Sequence, residues 1–190
     1  MSDGFDHPSI GYDAERNNRR AGSASGESKS PLPPVADPQT VTRVCLVGAD
    51  DVDLRFELLS RETAREALST YDLSRPYENT IAVDTVSVGA AVSLLNDLNW
   101  YLVRFADAAL AMEPSISETE WLSRDLAEAV RNDEVRPAET DEYLRLYGVD
   151  DGELVEPLFV RRSDGEVPEY DLRDVDETVT VRVTDEEFGR

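Results

Sequence analysis

The chain has 190 residues, with 41 Asp and Glu against 19 Lys and Arg, and its formal net charge is −22. That balance argues against direct binding of nucleic acid, because no basic stripe is present to neutralise phosphates. No apolar run approaches the roughly 18 residues that span a membrane. The single cysteine, Cys45, excludes an intramolecular disulfide and is expected to be a small buried residue.

Residues 1–41 are predicted to form a disordered N-terminal tail. They are rich in Gly, Ser, Asn and Pro and show almost no apolar periodicity, so they cannot bury enough surface to offset the entropy of ordering. The only Lys, Lys29, and the only His, His7, both lie here. Two explanations stay open: a true tail or linker, or a start codon assigned too far upstream, with translation beginning near Val41.

Residues 42–149 are predicted to form an α/β core domain, a small mixed sheet with helices packed against it. Strands are expected where apolar and polar residues alternate, and helices where apolar residues recur every three or four positions. In chain order, the first expected elements are a strand over 42–47 ended by Gly48, a strand or helix start over 54–58, and a helix from Ser60 to Thr70. A strand over 79–86 and a helix capped by Asp84 or Thr85 that runs to Leu98 are expected next. The last two are a strand over 100–105 and a strand or helical turn over 108–112.

The second half of the core is predicted to be helical. Ser117 and Glu120 match a capping box, which predicts a helix to Arg131 with Trp121 on its apolar stripe. A shorter helix carrying Tyr143, Leu144 and Tyr147 is expected to end at Gly148 as its C-cap. Residues 118–147 would then form a helical hairpin packed on the sheet.

Residues 150–190 are predicted to form a β-rich acidic C-terminal extension. Segments 157–162 and 178–184 alternate apolar and polar residues, so both are predicted strands, and either is able to extend the core sheet. Asp164 and Gly165, between them, indicate a turn.

The core sequence contains no His and no Lys, and this restricts its chemistry. It excludes a Ser-His-Asp triad, a Cys-His pair, Schiff-base chemistry and a zinc cluster, and no Walker A motif is present. Ser87 is expected to start a helix rather than act as a nucleophile. Carboxylates, hydroxyls and guanidinium groups remain.

Three carboxylates are the candidate metal ligands. Asp50 and Asp51 follow the first predicted strand, and Asp84 ends a central one. If these strands are parallel neighbours, the carboxylates meet at one sheet edge, where α/β folds place ligands. Such a cluster suits Mg²⁺, and no other cofactor is expected. The alternative function is therefore a magnesium-dependent enzyme that acts on a phosphate or a small polar substrate.

Trp100, Tyr101 and Arg104 are the candidate binding residues, provided that their predicted strand lies at a sheet edge. Because the sequence carries no recognisable catalytic motif, it favours a non-enzymatic binding, regulatory or protein-interaction module. The expected partner is another protein or a second copy of the chain, bound through a sheet edge or through the helix containing Trp121.

The net charge also indicates the salt concentration in which the protein works. In molar salt the Debye length falls to about 3 Å, which screens the self-repulsion of an acidic surface. The composition resembles that of haloarchaeal proteins, in which Arg replaces Lys. The segments TRVCLVGADDVDLR, ENTIAVDTVSVGAAVSLLNDLNWYLVRF and SETEWLSRDLAEAV, within 42–149, resemble a family of uncharacterised haloarchaeal proteins. This resemblance implies a salt-adapted cytoplasmic protein and assigns no catalytic residue.

Overall fold

The structure is a computed structural model that describes residues 41–170, 172 and 175–189. All the elements below lie within one compact unit that spans 37–190. Apart from Val41, the predicted tail lies outside the described residues, as do His7 and Lys29.

Seven strands form one mixed sheet, which confirms the predicted mixed α/β fold. In chain order they are β1 Thr42–Gly48, β2 Thr80–Thr85, β3 Ala106–Met112, β4 Trp121–Ser123, β5 Tyr143–Asp150, β6 Glu153–Arg161 and β7 Glu177–Val183. Their order in the sheet is β2-β1-β3-β4-β7-β5-β6, and every pair of neighbours is antiparallel except β4 and β7.

The described residues contain six α-helices. They are α1 Leu54–Leu59, α2 Glu62–Leu68, α3 Val88–Asp97, α4 Asn99–Phe105, α5 Arg124–Arg131 and α6 Asp185–Phe188, with a 3₁₀ helix at Pro137–Glu139 before β5. Side chains of Asp53, Ser87 and Ser123 accept backbone N–H groups at the starts of α1, α3 and α5. The prediction that Ser87 starts a helix is confirmed. None of these helices is both long and apolar enough to cross a membrane.

The two faces of β1 are buried in different ways. Val44 and Leu46 pack against helices α1 to α4 in one buried cluster. Cys45 lies on the opposite face, in a second buried cluster that includes Val181 of β7. Because β3 and β4 lie between β1 and β7 in the sheet, this shared cluster shows that the sheet curls back on itself.

Cys45 is 1% exposed, as expected for a small buried residue. Burial raises the pKa of its thiol to about 12, against a weaker opposing effect of the Arg43 charge. The thiol is therefore protonated and inert as a nucleophile at neutral pH.

Of the two C-terminal strands, β7 is inserted within the sheet and β6 forms one of its edges. The predicted strands at 157–162 and 178–184 are confirmed as parts of β6 and β7. β7 lies between β4 and β5, and β5 is paired with β7 on one side and with β6 on the other. Asp164 and Gly165 have φ angles of 53° and 80°, as expected for the predicted turn.

The predicted helical hairpin at 118–147 is wrong. The Ser117 hydroxyl accepts the Glu120 N–H as a capping residue would, at 3.0 Å, but the chain continues into strand β4 and α5 begins only at Arg124. Trp121 therefore lies on a strand. Residues 143–147 belong to β5, where the fully buried Leu144 and Leu146 alternate with the half-buried Tyr143 and Arg145, which is the period of a strand.

Two shorter predictions also need correction. Residues 54–58 form helix α1, the alternative to a strand, and Ser60 ends α1 instead of starting α2. Residues 100–105 lie in helix α4, with Leu102 buried. The neighbouring strand is β3, which confirms the strand considered at 108–112.

Candidate functional site

The three predicted metal ligands do not meet. β1 and β2 are antiparallel, and their register pairs Arg43 with Asp84. Asp84 therefore lies beside the start of β1, whereas Asp50 and Asp51 follow its end, about 17 Å further along the strand. Asp84 is instead paired with Arg43, with 3.0 Å between Nε and Oδ1.

Asp50 and Asp51 line a cleft of about 620 Å³ at the end of β1, together with Arg55, Arg75 and Glu78. Within the described ranges, no group of three or more His, Cys, Asp and Glu side chains is arranged to hold a metal ion. The geometry thus gives the magnesium alternative no support.

Asn79 shapes the loop beside this cleft. Its φ is 49°, a left-handed conformation that Asn tolerates better than most residues. The side-chain oxygen accepts the Leu54 N–H at 3.0 Å, and the side-chain amide donates to the Ala49 carbonyl at 3.1 Å. The backbone carbonyl accepts the Gly48 N–H at 2.9 Å. These bonds attach the loop after β1 to the start of β2.

Helix α4 brings the candidate binding residues together on the surface. Trp100 and Arg104 are exposed, and the Arg104 guanidinium carbon lies 4.9 Å from the centre of the Trp100 ring. Tyr101 contacts Trp100 edge to face, with 5.0 Å between the ring centres. The three side chains lie together, but on a helix, so the edge strand on which their predicted binding role depended does not exist.

A smaller cleft of about 270 Å³ lies between α4, β3, the start of α5, β5 and α6. We call it the Arg145 cleft. Its wall on α4 and β3 is largely apolar. Its polar lining consists of Asp107, Ser123, Arg124, Asp125, Arg145 and Glu187.

Asp107 enters the Arg145 cleft at a β-bulge. The register of β1 with β3 pairs Val47 with Ala108 and Gly48 with Ala106, which leaves Asp107 unpaired. Such a bulge interrupts the alternation of a strand and redirects a side chain, and bulges are frequent beside functional sites.

Arg145 and Tyr147 are two residues apart on β5, so they lie on the same face of the sheet. The guanidinium carbon of Arg145 is 5.1 Å from the centre of the Tyr147 ring. Arg145 Nε and the Tyr147 hydroxyl are both buried, and neither has a hydrogen-bond partner among the described residues. The two atoms are thus donors without an acceptor.

The carboxylates of the cleft also affect the pKa of the Tyr147 hydroxyl. Burial raises the pKa of Tyr147 to about 12; the Arg145 charge opposes this, and Asp107 and Glu187 reinforce it. The side chain is only 2% exposed. At neutral pH the hydroxyl is protonated and able to donate.

Ser123 and Glu187 form the structural rim of the cleft. The Ser123 hydroxyl donates to Glu187 Oε2 at 2.6 Å and accepts the Leu126 N–H at 3.1 Å. The same Glu187 oxygen accepts the Thr184 N–H at 2.9 Å, which completes the capping box of α6. These bonds fix α6 against the start of α5, so the Ser123 hydroxyl is already engaged.

A second polar cluster, around Glu120, differs from the Arg145 cleft because its charged groups are paired with each other. Glu120 binds Arg162 Nη2 at 2.5 Å and Arg182 Nε at 2.6 Å through its two carboxylate oxygens, and Arg182 donates to Thr140 at 2.8 Å. Arg162 also has a buried Nε without a partner among the described residues, but its guanidinium is already paired with Glu120. This cluster joins the loop before β4 to β7 and has the character of a structural ion network.

Sequence reasoning did not find the Arg145 cleft. Asp107 is one acid in the apolar stretch FADAALAM, and Arg145 and Tyr147 were assigned to a helix. The alternation in YLRLY was the available signal, because it indicates a strand and places both side chains on one face.

A family of unknown function, DUF5804, matches residues 42–149. No curated protein and no solved structure gives a significant match. The matched segment contains Asp107, Arg145 and Tyr147 but ends inside β5, before β6, β7 and α6.

Proposed function

The chain belongs to this family of unknown function, and since membership assigns no activity, we propose its role from its own geometry. We propose that it is a non-enzymatic binding module that takes up a small polar molecule in the Arg145 cleft. The observation that carries the proposal is the guanidinium of Arg145, which lines the cleft and whose Nε has no hydrogen-bond partner among the described residues. An anionic group of a ligand would form charge-assisted hydrogen bonds with this guanidinium.

Binding suits this cleft better than catalysis. The Ser123 hydroxyl is held by Glu187, and Tyr147, with a pKa of about 12, does not act as a base at neutral pH. Arg145 is permanently charged and serves to orient an anionic group.

A thermal-shift screen of small polar metabolites in molar potassium chloride tests this role. The variants are Arg145→Met and, as a matched control at an exposed position on α2, Arg65→Met. We expect at least one compound to raise the Tm of the wild type and of Arg65→Met but not that of Arg145→Met. Equal shifts in all three proteins, or no shift with any compound, would contradict the proposal.

A second candidate function is self-association through α4. Large apolar side chains on α1 and α4 are left open to solvent: Phe56 is 65% exposed, Trp100 55% and Val103 76%. A two-fold axis beside α4 would place Trp100 and Val103 of one copy against the same residues of the other. Tyr101 and Arg104 would border that contact.

Light scattering in molar potassium chloride tests self-association. A dimer that Val103→Asp converts to a monomer is the expected result. A wild type that stays monomeric at high concentration would exclude this candidate. A partner contact through a helix containing Trp121, which the sequence suggests, does not apply because Trp121 lies on strand β4 and is 7% exposed.

We further propose that the protein works in the cytosol of a cell with molar internal salt. The net charge of −22 and the single Lys support this setting. The salt dependence of folding, given in the Discussion, is its test.

A further inference from the structure

The guanidinium of Arg145 defines one half of the ligand. It lines the cleft, it donates and cannot accept, and its Nε has no hydrogen-bond partner among the described residues. The matching ligand group is an acceptor, and beside a guanidinium a negatively charged acceptor binds most strongly. A planar carboxylate fits the guanidinium geometry.

The charge of the cleft limits which other charged groups the ligand carries. Three carboxylates line it, those of Asp107, Asp125 and Glu187, against the guanidinium groups of Arg124 and Arg145. The lining is therefore net negative by one charge, which disfavours a dianionic phosphate. A ligand that carries an ammonium group beside its carboxylate matches both signs, because Asp107 and Asp125 are exposed acids within the same cleft.

The apolar wall and the volume limit the remainder of the ligand. Leu102 and Val103 of α4, with Ala106 and Ala108 of β3, line the side of the cleft opposite β5. A volume of about 270 Å³ lies below the usual range for drug-sized ligands, so only a small molecule is enclosed.

We infer that the Arg145 cleft binds a free α-amino acid with a short apolar side chain. Its carboxylate accepts from the guanidinium of Arg145, its ammonium group faces Asp107, and its side chain lies against α4 and β3. This inference rests on the proposed binding function and adds the class of ligand.

Isothermal titration calorimetry in molar potassium chloride tests it with five probes: alanine, valine, acetate, methylammonium and inorganic phosphate. We expect alanine or valine to bind at least about tenfold more tightly than acetate or methylammonium, because each of these carries only one of the two charged groups. Phosphate is expected to bind weakest.

Two variants assign the groups. Asp107→Asn should weaken alanine binding about tenfold and leave acetate binding unchanged, whereas Arg145→Met should weaken the binding of both. Asp97→Asn, at the exposed end of α3, is the control for a lost acid and should change neither. Asp125→Asn serves in place of Asp107→Asn if the bulge does not tolerate that substitution.

The outcomes separate the two claims. If acetate or phosphate binds as tightly as alanine, or an Arg145-dependent ligand from the screen is not an amino acid, the amino-acid assignment is overturned and the binding role stands. If no probe and no screened compound depends on Arg145, both fail. Loss of alanine binding in Asp107→Asn and Arg145→Met, with normal alanine binding in Asp97→Asn, supports both.

Discussion

The guanidinium carbon of Arg145 lies 5.1 Å from the centre of the Tyr147 ring, and the two side chains stack along one face of β5. This contact positions the guanidinium without using its Nε hydrogen. The guanidinium is therefore held in place at the cleft by the protein before any ligand binds, and such preorganisation reduces the entropy cost of binding.

Gly48 has no room for a side chain, so we predict that Gly48→Ala destabilises the fold. A Cβ there would lie 2.7 Å from Asn79 Cγ, and the Asn79 amide is fixed by its bonds to Leu54 and Ala49. We expect a loss of about 1–3 kcal/mol in the free energy of unfolding, measured by denaturant titration in molar salt.

Gly89→Ala is the matched control for this prediction. A Cβ at Gly89, within α3, meets its nearest atom at 3.7 Å, which is ordinary contact. Alanine is the better helix former, so this variant should be unchanged or more stable by up to about 1 kcal/mol. Equal destabilisation of the two variants would show that the Gly48–Asn79 contact is not the cause.

The segment that matches the family should not fold by itself. A fragment of residues 37–149 retains β5 but loses β6 and β7, its neighbours on both sides. It also separates Glu120 from Arg162 and Arg182. We expect no cooperative thermal transition for this fragment and a sharp one for residues 37–190. A cooperative transition with native circular dichroism for 37–149 would contradict the topology.

Glu120 should make the stability sensitive to acid. Its partial burial acts to raise the pKa, but hydrogen bonds from Arg162 and Arg182, with their charges, outweigh burial and lower the pKa of Glu120 in the folded state. In the unfolded chain the pKa of a Glu side chain is about 4.3. The stability that Glu120 contributes is therefore complete above that pH, and it is lost as the pH falls through the lower pKa of the folded state.

The Glu120→Gln variant tests this linkage. It should have a lower Tm than the wild type at neutral pH, because it leaves two guanidinium groups without their carboxylate, and its Tm should fall less steeply on acidification. Glu66→Gln, at an exposed position on α2, should follow the wild-type profile. Parallel profiles for Glu120→Gln and the wild type would contradict the role given to Glu120.

Salt should be required for folding. At about 0.01 M salt the Debye length is about 30 Å, so the net charge of −22 repels itself across the molecule, whereas molar salt reduces the range to about 3 Å. We expect the cooperative fold to be lost below roughly 0.5 M salt. The near-UV circular dichroism of the buried Trp121 and Tyr147 measures this loss of the fold. A full signal at about 0.01 M salt would refute the prediction.

The predictions from sequence succeeded where one period dominated. The strands at 42–47, 79–86 and 178–184 and the helix after Ser87 combine a clear apolar pattern with a turn residue or cap, and local physics decides them. The segments 100–105 and 143–147 carry apolar residues that fit either period, so their structure depends on which neighbours bury them. That information is not local.

The Arg145 cleft depends on topology and was out of reach for the same reason. Asp107 enters it only because β3 carries a bulge opposite Val47 and Gly48, and Glu187 reaches it only because β7 is inserted between β4 and β5. The predicted metal site failed at the same level, since the orientation of β1 relative to β2 decides whether Asp84 approaches Asp50.

The most direct measurement compares the alanine affinity and the stability of Arg145→Met with those of the wild type. If the guanidinium serves to hold a ligand, its removal lowers the free energy of unfolding by no more than about 1 kcal/mol, because only its contact with the Tyr147 ring is lost. The affinity for alanine then falls at least about tenfold. A folded Arg145→Met variant that binds alanine as tightly as the wild type would contradict the account.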